Sequence, residues 1–182
     1  IWFSILGLSL FWALSQTMLA VFPAFAKIVL SEDNTIVIQG LLACSGLGII
    51  SGSLLAGKLC RQQIHFPVIL VGAIGLITML FVIPYLNTVI PFALAIIGFG
   101  FFGGLFIIPL NALIQMHADI MQLGSVLAAN NWVQNLAMIS FLMLTYLVAK
   151  ADTPSALFLQ YLPWLAVLLI IPILIKLKRK FV

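Results

Sequence analysis

The run from Val89 to Gln115 contains no Asp, Glu, Lys or Arg. As a helix, a run of that length reaches across the roughly 30 Å hydrocarbon core of a bilayer, a task that takes about 20 residues. Comparable apolar runs extend from Trp2 to Ala26, Ile36 to Leu59, Pro67 to Leu86, Ser125 to Val148 and Ala156 to Ile175. Hydrocarbon offers the backbone no hydrogen-bond partners, so each run must satisfy its own N–H and C=O groups by coiling into a helix. Only 7% of the side chains are charged, against about a quarter in a soluble domain. That is too few to cover a water-facing surface. The chain reads as an all-α integral membrane protein of six spans, and no polar linker is long enough to divide residues 1–182 into separate domains.

The interruptions define the ends of the spans. Pro23 removes a backbone donor and is expected to bend the far end of the first. Lys27 and the stretch Ser31 to Thr35 form its exit loop. Gly48 with Gly52, and Ser53 with Gly57, give small-xxx-small spacings suited to close helix contact in the second. Its loop runs from Lys58 to His65. Pro67 suits the first turn of the third, and Asn87, Thr88 and Pro91 mark a tight turn before the fourth. Pro109 and the pair Gly103–Gly104 favour kinks or helix crossings there. His117 to Gly124 and Lys150 to Ser155 are the remaining loops, and Pro163 and Pro172 fall inside the sixth span.

Six spans bring both chain ends to one side. That side carries Lys58, Arg61, Lys176, Lys178, Arg179 and Lys180, and the other only Lys27 and Lys150. The positive-inside rule makes the richer side cytoplasmic. The chain opens on Ile1 rather than Met, without a basic leader or a cleavage signature, and reads as a piece of a longer polypeptide.

No charged residue sits in the middle of a span, so the chain lacks the usual material of proton relays. Glu32, Asp33 and Asp119 fall in loops and read as solvated. What remains is amides. Gly100, Gly104, Asn111 and Gln115 lie within about 60° on a helix of 3.6 residues per turn. Asn130, Asn131, Gln134 and Asn135 span about 140° of the next. Such groups can hydrogen-bond a phosphate, glycerol or zwitterionic headgroup. The competing reading is that they bond between helices. Four amides in six positions exceed what a packing clamp needs, and Asn131 and Gln134 lead as cavity residues, with Asn111 next. Pro109 is expected to free a carbonyl near Asn111. Ser15, Gln16 and Thr17 add a polar patch midway along the first span, with Trp12 as an aromatic wall or a core residue. Trp2 fits an interfacial anchor, Trp132 a cavity wall, and Gln39 a cap or a water-facing position.

Other functions find little support. Cys44 and Cys60 do not form a disulfide framework or a metal site. His65 and His117 fall in different loops, and no acid, base and nucleophile recur at useful spacing, so the segment is not read as an enzyme and no cofactor is implied. The glycines from Gly98 to Gly104 interrupt a membrane span rather than follow a strand, which assigns them to helix packing rather than to nucleotide binding. The formal charge of +4 gathers at the end of an apolar helix, which fits a membrane edge better than nucleic acid.

The segments GGLFIIPLNALIQ and GSVLAANNWVQN, together with SLFWALSQT (9–17), SEDNT (31–35) and AGKLCRQQIH (56–65), resemble the lysophospholipid transporter family of the major facilitator superfamily. The resemblance covers essentially the whole chain. It implies the C-terminal six-helix half, helices seven to twelve, of a twelve-helix transporter whose N-terminal half lies elsewhere. It also implies inward movement of lysophospholipid, especially lysophosphatidylethanolamine, across the bacterial inner membrane to an acyltransferase, fused or associated. The basic tail from Lys176 to Lys180 is where a fused partner would begin. The resemblance implies an arginine near the position of Leu19 in some relatives, and its absence here shifts headgroup binding onto amides or onto residues of the N-terminal half. The residues themselves leave two alternatives: a facilitator of another small solute or drug, or a non-transporting membrane module that tethers an acyltransferase.

Overall fold

The computed structural model describes residues 1–179; Lys180 of the basic tail lies outside the described residues. Six long helices follow one another: α1 (Trp2–Val29), α2 (Thr35–Leu59), α3 (Phe66–Val82), α4 (Val89–His117), α5 (Leu123–Lys150) and α6 (Ser155–Lys178). Each, counting the short 3-10 turns beside α3 and α5, is long and apolar enough to cross a membrane, and no strand occurs among the described residues.

The ends are set by local hydrogen bonding rather than by hydropathy. α1 continues through Pro23 to Val29 and takes Lys27 into its last turn. Asn34 starts α2, its Oδ1 accepting from the Ile36 N–H at 2.9 Å, which satisfies one of the orphan donors of the first turn. The Glu32 carboxylate accepts from the Asn34 N–H at 3.0 Å, so Glu32 closes this loop instead of being merely solvated. Asp119 acts alike, accepting from Met121 N–H at 3.1 Å at the start of a 3-10 turn. Pro67 occupies the first turn of α3 as expected, and that helix tightens into a 3-10 turn at Ile83–Tyr85, where Pro84 sits.

Packing centres on α4. Lipid tails are as apolar as Leu, so helices associate here through close van der Waals contact rather than through escape from water. Gly48 and Gly52 of α2 lie against the backbone of α4 at Ile97, Gly100 and Phe101. Gly100 and Gly104 return the contact against Ser45, Ile49, Gly52 and Ser53. A Cβ at any of the four would overlap main-chain atoms that have no free rotamer to yield. The second small-residue pair behaves differently, since Gly57 is exposed with nothing nearby. Gly72 meets the α4 backbone at Leu105 and Phe106, and Gly75 the ring of Phe102.

α1 covers a third side of α4. Gly103 receives the Phe11 ring, and Gly7 lies beside Leu110 and Phe106. Phe22 stacks on Phe92 at 4.7 Å between centroids, and Phe11 on Phe99 at 6.0 Å. α5 and α6 both pack on α1, and α6 also touches α3. α5 thus rests on one long neighbour and leaves most of its surface outside the bundle.

Candidate functional site

A cleft of about 200 Å³ opens between α1, α2 and α4. α1 contributes Trp12, Ser15, Gln16 and Leu19, α2 contributes Ser45, and Phe99 of α4 closes the inner wall. The spacing of the α1 residues explains their convergence: 12, 15, 16 and 19 follow the i, i+3, i+4, i+7 rhythm of one helix face. Trp12 stands edge-on to Phe11 at 5.2 Å while remaining 36% exposed, so it serves both as wall and as core contact. Thr17, the third member of the polar patch, turns the other way: it is buried and donates to the Ala13 carbonyl at 2.9 Å.

The hydroxyls differ in what they leave free. Ser45 donates to the Leu42 carbonyl at 2.7 Å. Ser15 Oγ is buried and has no hydrogen-bond partner, a state that costs free energy unless a ligand or water completes it. With Gln16 one residue on, the cleft offers a donor–acceptor pair inside oily walls. Ser45 is not singled out by the sequence, because only the folding of α1, α2 and α4 around one cleft gives it a place beside the α1 patch.

The other amides are distributed as follows. Among the described residues of α5 only Asn130 is fully buried. Gln134, one turn on, donates from Nε2 to Asn130 Oδ1 at 2.9 Å. Asn131 and Asn135 lie on the exposed surface of α5, and Asn135 Nδ2 donates to the Asn131 carbonyl at 3.0 Å. Asn111 is half-buried and donates to Ile107 O on its own helix at 3.1 Å, while Gln115 is exposed. The carbonyl that Pro109 leaves without a helical donor is that of Leu105, since the bond runs from i to i−4. That places it six residues from Asn111 rather than beside it. Trp132 is 69% exposed on the outer surface of the bundle, and Trp2 67% exposed at the start of α1. Gln39 is exposed and leaves the capping of α2 to Asn34.

The two amide stripes therefore do not face one another directly. α4 and α5 flank α1, and α5 packs chiefly on α1. The stripes do share a depth: Leu110 lies beside Gly7, and Val133 borders the same groove as Ser9 and Leu10. The glycines that share a stripe with Asn111 and Gln115 are packed against α2, which fits their assignment to helix packing. Cys44 and Cys60 are free and half-buried. No group of His, Cys, Asp or Glu that could hold a metal ion occurs among the described residues.

Comparison with known proteins bears on what this arrangement serves. The chain is 32% identical over 155 residues to the lysophospholipid transporter LplT of Photorhabdus laumondii, covering 84% of this chain and 38% of that protein. The chain is homologous to part of a lysophospholipid transporter. Proteins of the same name in Cronobacter sakazakii and Klebsiella pneumoniae are each 29% identical over 154 residues, again covering 84% of this chain and 38% of theirs. The chain thus spans 38% of the length of these curated relatives. All three are transporters by name, in agreement with the reading of this segment as non-enzymatic. No family model and no solved structure matches the chain.

Proposed function

We propose that residues 1–182 are the C-terminal six-helix half, helices seven to twelve, of a major facilitator carrier in the bacterial inner membrane. It moves lysophospholipid, especially lysophosphatidylethanolamine, to the cytoplasmic leaflet for reacylation. The observation that carries this reading is the similarity to lysophospholipid transporters along 84% of the chain.

The geometry supports it in chemical terms. A lysophospholipid joins a polar head, which needs hydrogen bonds, to a single apolar tail. The cleft supplies the hydroxyl of Ser15 and the amide of Gln16 for the head, while Trp12, Leu19 and Phe99 suit apolar parts of the molecule. Asn111, Gln115, Asn130, Asn131, Gln134 and Asn135 lie nearer the basic end of the bundle and form a second set of headgroup contacts along the route. The exposed Asn131 and Asn135 face outward, where the N-terminal half would complete the passage. Transport proceeds by rocking of one half against the other around a midplane site. Both ends of the segment lie on the cytoplasmic side, beside the acyltransferase, fused or associated, that consumes the product.

The test is uptake by vesicles reconstituted with the complete transporter. Labelled lysophosphatidylethanolamine is expected to enter the inner leaflet faster than in protein-free vesicles, and small polar solutes or drugs are not. Movement of such a solute without movement of the lysolipid would remove the substrate assignment.

A further inference from the structure

We propose that the furrow between α5 and α6 holds one chain of an anionic diacyl phospholipid, with the lipid phosphate on Lys176. The proposal is independent of the transport reading. α5 and α6 both pack on α1 without extensive contact with each other, and the gap is a groove of about 410 Å³. Its floor is Leu6 and Leu10 of α1, its walls include Val133, Ala137 and Phe141 of α5 and Leu169 of α6, and Lys176 stands at one end. An apolar groove open to the bilayer fills with hydrocarbon, because an empty one forfeits dispersion contact along its whole lining.

The lining excludes a polar occupant and fixes the direction of an apolar one. Ser9, the hydroxyl of the groove, is already engaged, donating to the Ile5 carbonyl at 2.8 Å. From Leu168 to Lys176 the groove follows α6 for about 12 Å of helix rise, close to the depth of one leaflet in a core about 30 Å thick. An acyl chain entering from the Lys176 end therefore fills the groove while its headgroup reaches the membrane edge. Lys178 and Arg179 are exposed on the same final turn, and the nearest acidic residue in sequence, Asp152, precedes the opposite end of α6. Charge at the mouth favours an anionic headgroup over a zwitterionic one.

Native mass spectrometry of the complete transporter in neutral detergent, with equal phosphatidylglycerol and phosphatidylcholine, tests this. The unmodified protein is expected to retain phosphatidylglycerol several-fold over phosphatidylcholine. Lys176→Gln, at an exposed position, should abolish that preference, and Ala137→Phe, which fills the groove, should lower retention of both lipids several-fold. Equal retention of the two lipids by the unmodified protein, or unchanged preference in Lys176→Gln, overturns the proposal. So does a lipid-free protein or a dimer seated on this face. If Ala137→Phe does not fold, Lys176→Gln decides alone.

Discussion

Gln134 reaches back one turn of α5 and donates to Asn130 at 2.9 Å, and Asn130 is the residue of that helix most enclosed by the bundle. The pair places one amide against the protein and leaves its neighbours Asn131 and Asn135 exposed. An i,i+4 amide pair on one helix contributes about 0.2–0.5 kcal/mol. Asn130→Leu should therefore cost roughly that range in a thermal melt of the detergent-purified transporter. The double-mutant cycle with Gln134→Leu should show coupling of similar size.

Asn131 offers a test that separates the proposed transport role from folding. Asn131→Leu removes an amide from an exposed face, so expression and melting temperature should be unchanged while lysolipid uptake falls several-fold. Combining it with Gln134→Leu should lower uptake further. Undiminished uptake at normal expression would show that these amides do not line the route.

In the cleft the expected signs differ between two adjacent residues. Ser15→Ala deletes a buried hydroxyl without a partner and should hold or raise stability by up to about 1 kcal/mol, while reducing lysolipid uptake. Gln16→Leu should reduce uptake at least as strongly. A clear drop in stability for Ser15→Ala would mean that the hydroxyl already has a partner when the protein is in a bilayer.

Leu19 borders the same cleft and is 47% exposed. Leu19→Arg places a cation one turn from Gln16, where an anionic headgroup gains more than a zwitterionic one. Uptake of lysophosphatidylglycerol relative to lysophosphatidylethanolamine should rise several-fold in competition assays. A preference that does not move would show that the headgroup lies elsewhere.

The helix seam gives a matched pair. Gly52→Leu drives a side chain into the Phe101 carbonyl, whereas Gly57→Leu meets nothing. The first should cost on the order of 3 kcal/mol or abolish folded protein, and the second should melt like the unmodified transporter. Fluorescence-detected size exclusion after heating distinguishes them.

Much of this fold could be read before its coordinates. Apolar runs identify the six spans because hydrocarbon permits little else, and Gly48, Gly52, Gly100 and Gly104 announce close contact by their spacing. Ends proved less legible: α1 passes Ala26 and α4 passes Gln115, because caps and last-turn carbonyls decide where a helix stops. Neighbours were least legible. Spacing cannot say that Gly48 and Gly100 meet each other, that Gly57 meets nothing, or that Ser45 joins Gln16. It also does not reveal that α1 stands between the stripes of α4 and α5, since succession along the chain is not adjacency in space.

Where Gly48 and Gly52 meet α4, main chain lies against main chain, and no side chain between them can switch rotamer to let one slide. α2 and α4 are thus confined to travelling as a single stiff plate, with α3 fixed to it by Gly72. α5 has no such bond to the plate. It packs along α1 instead, so its place relative to the plate is set at second hand, by where α1 lies.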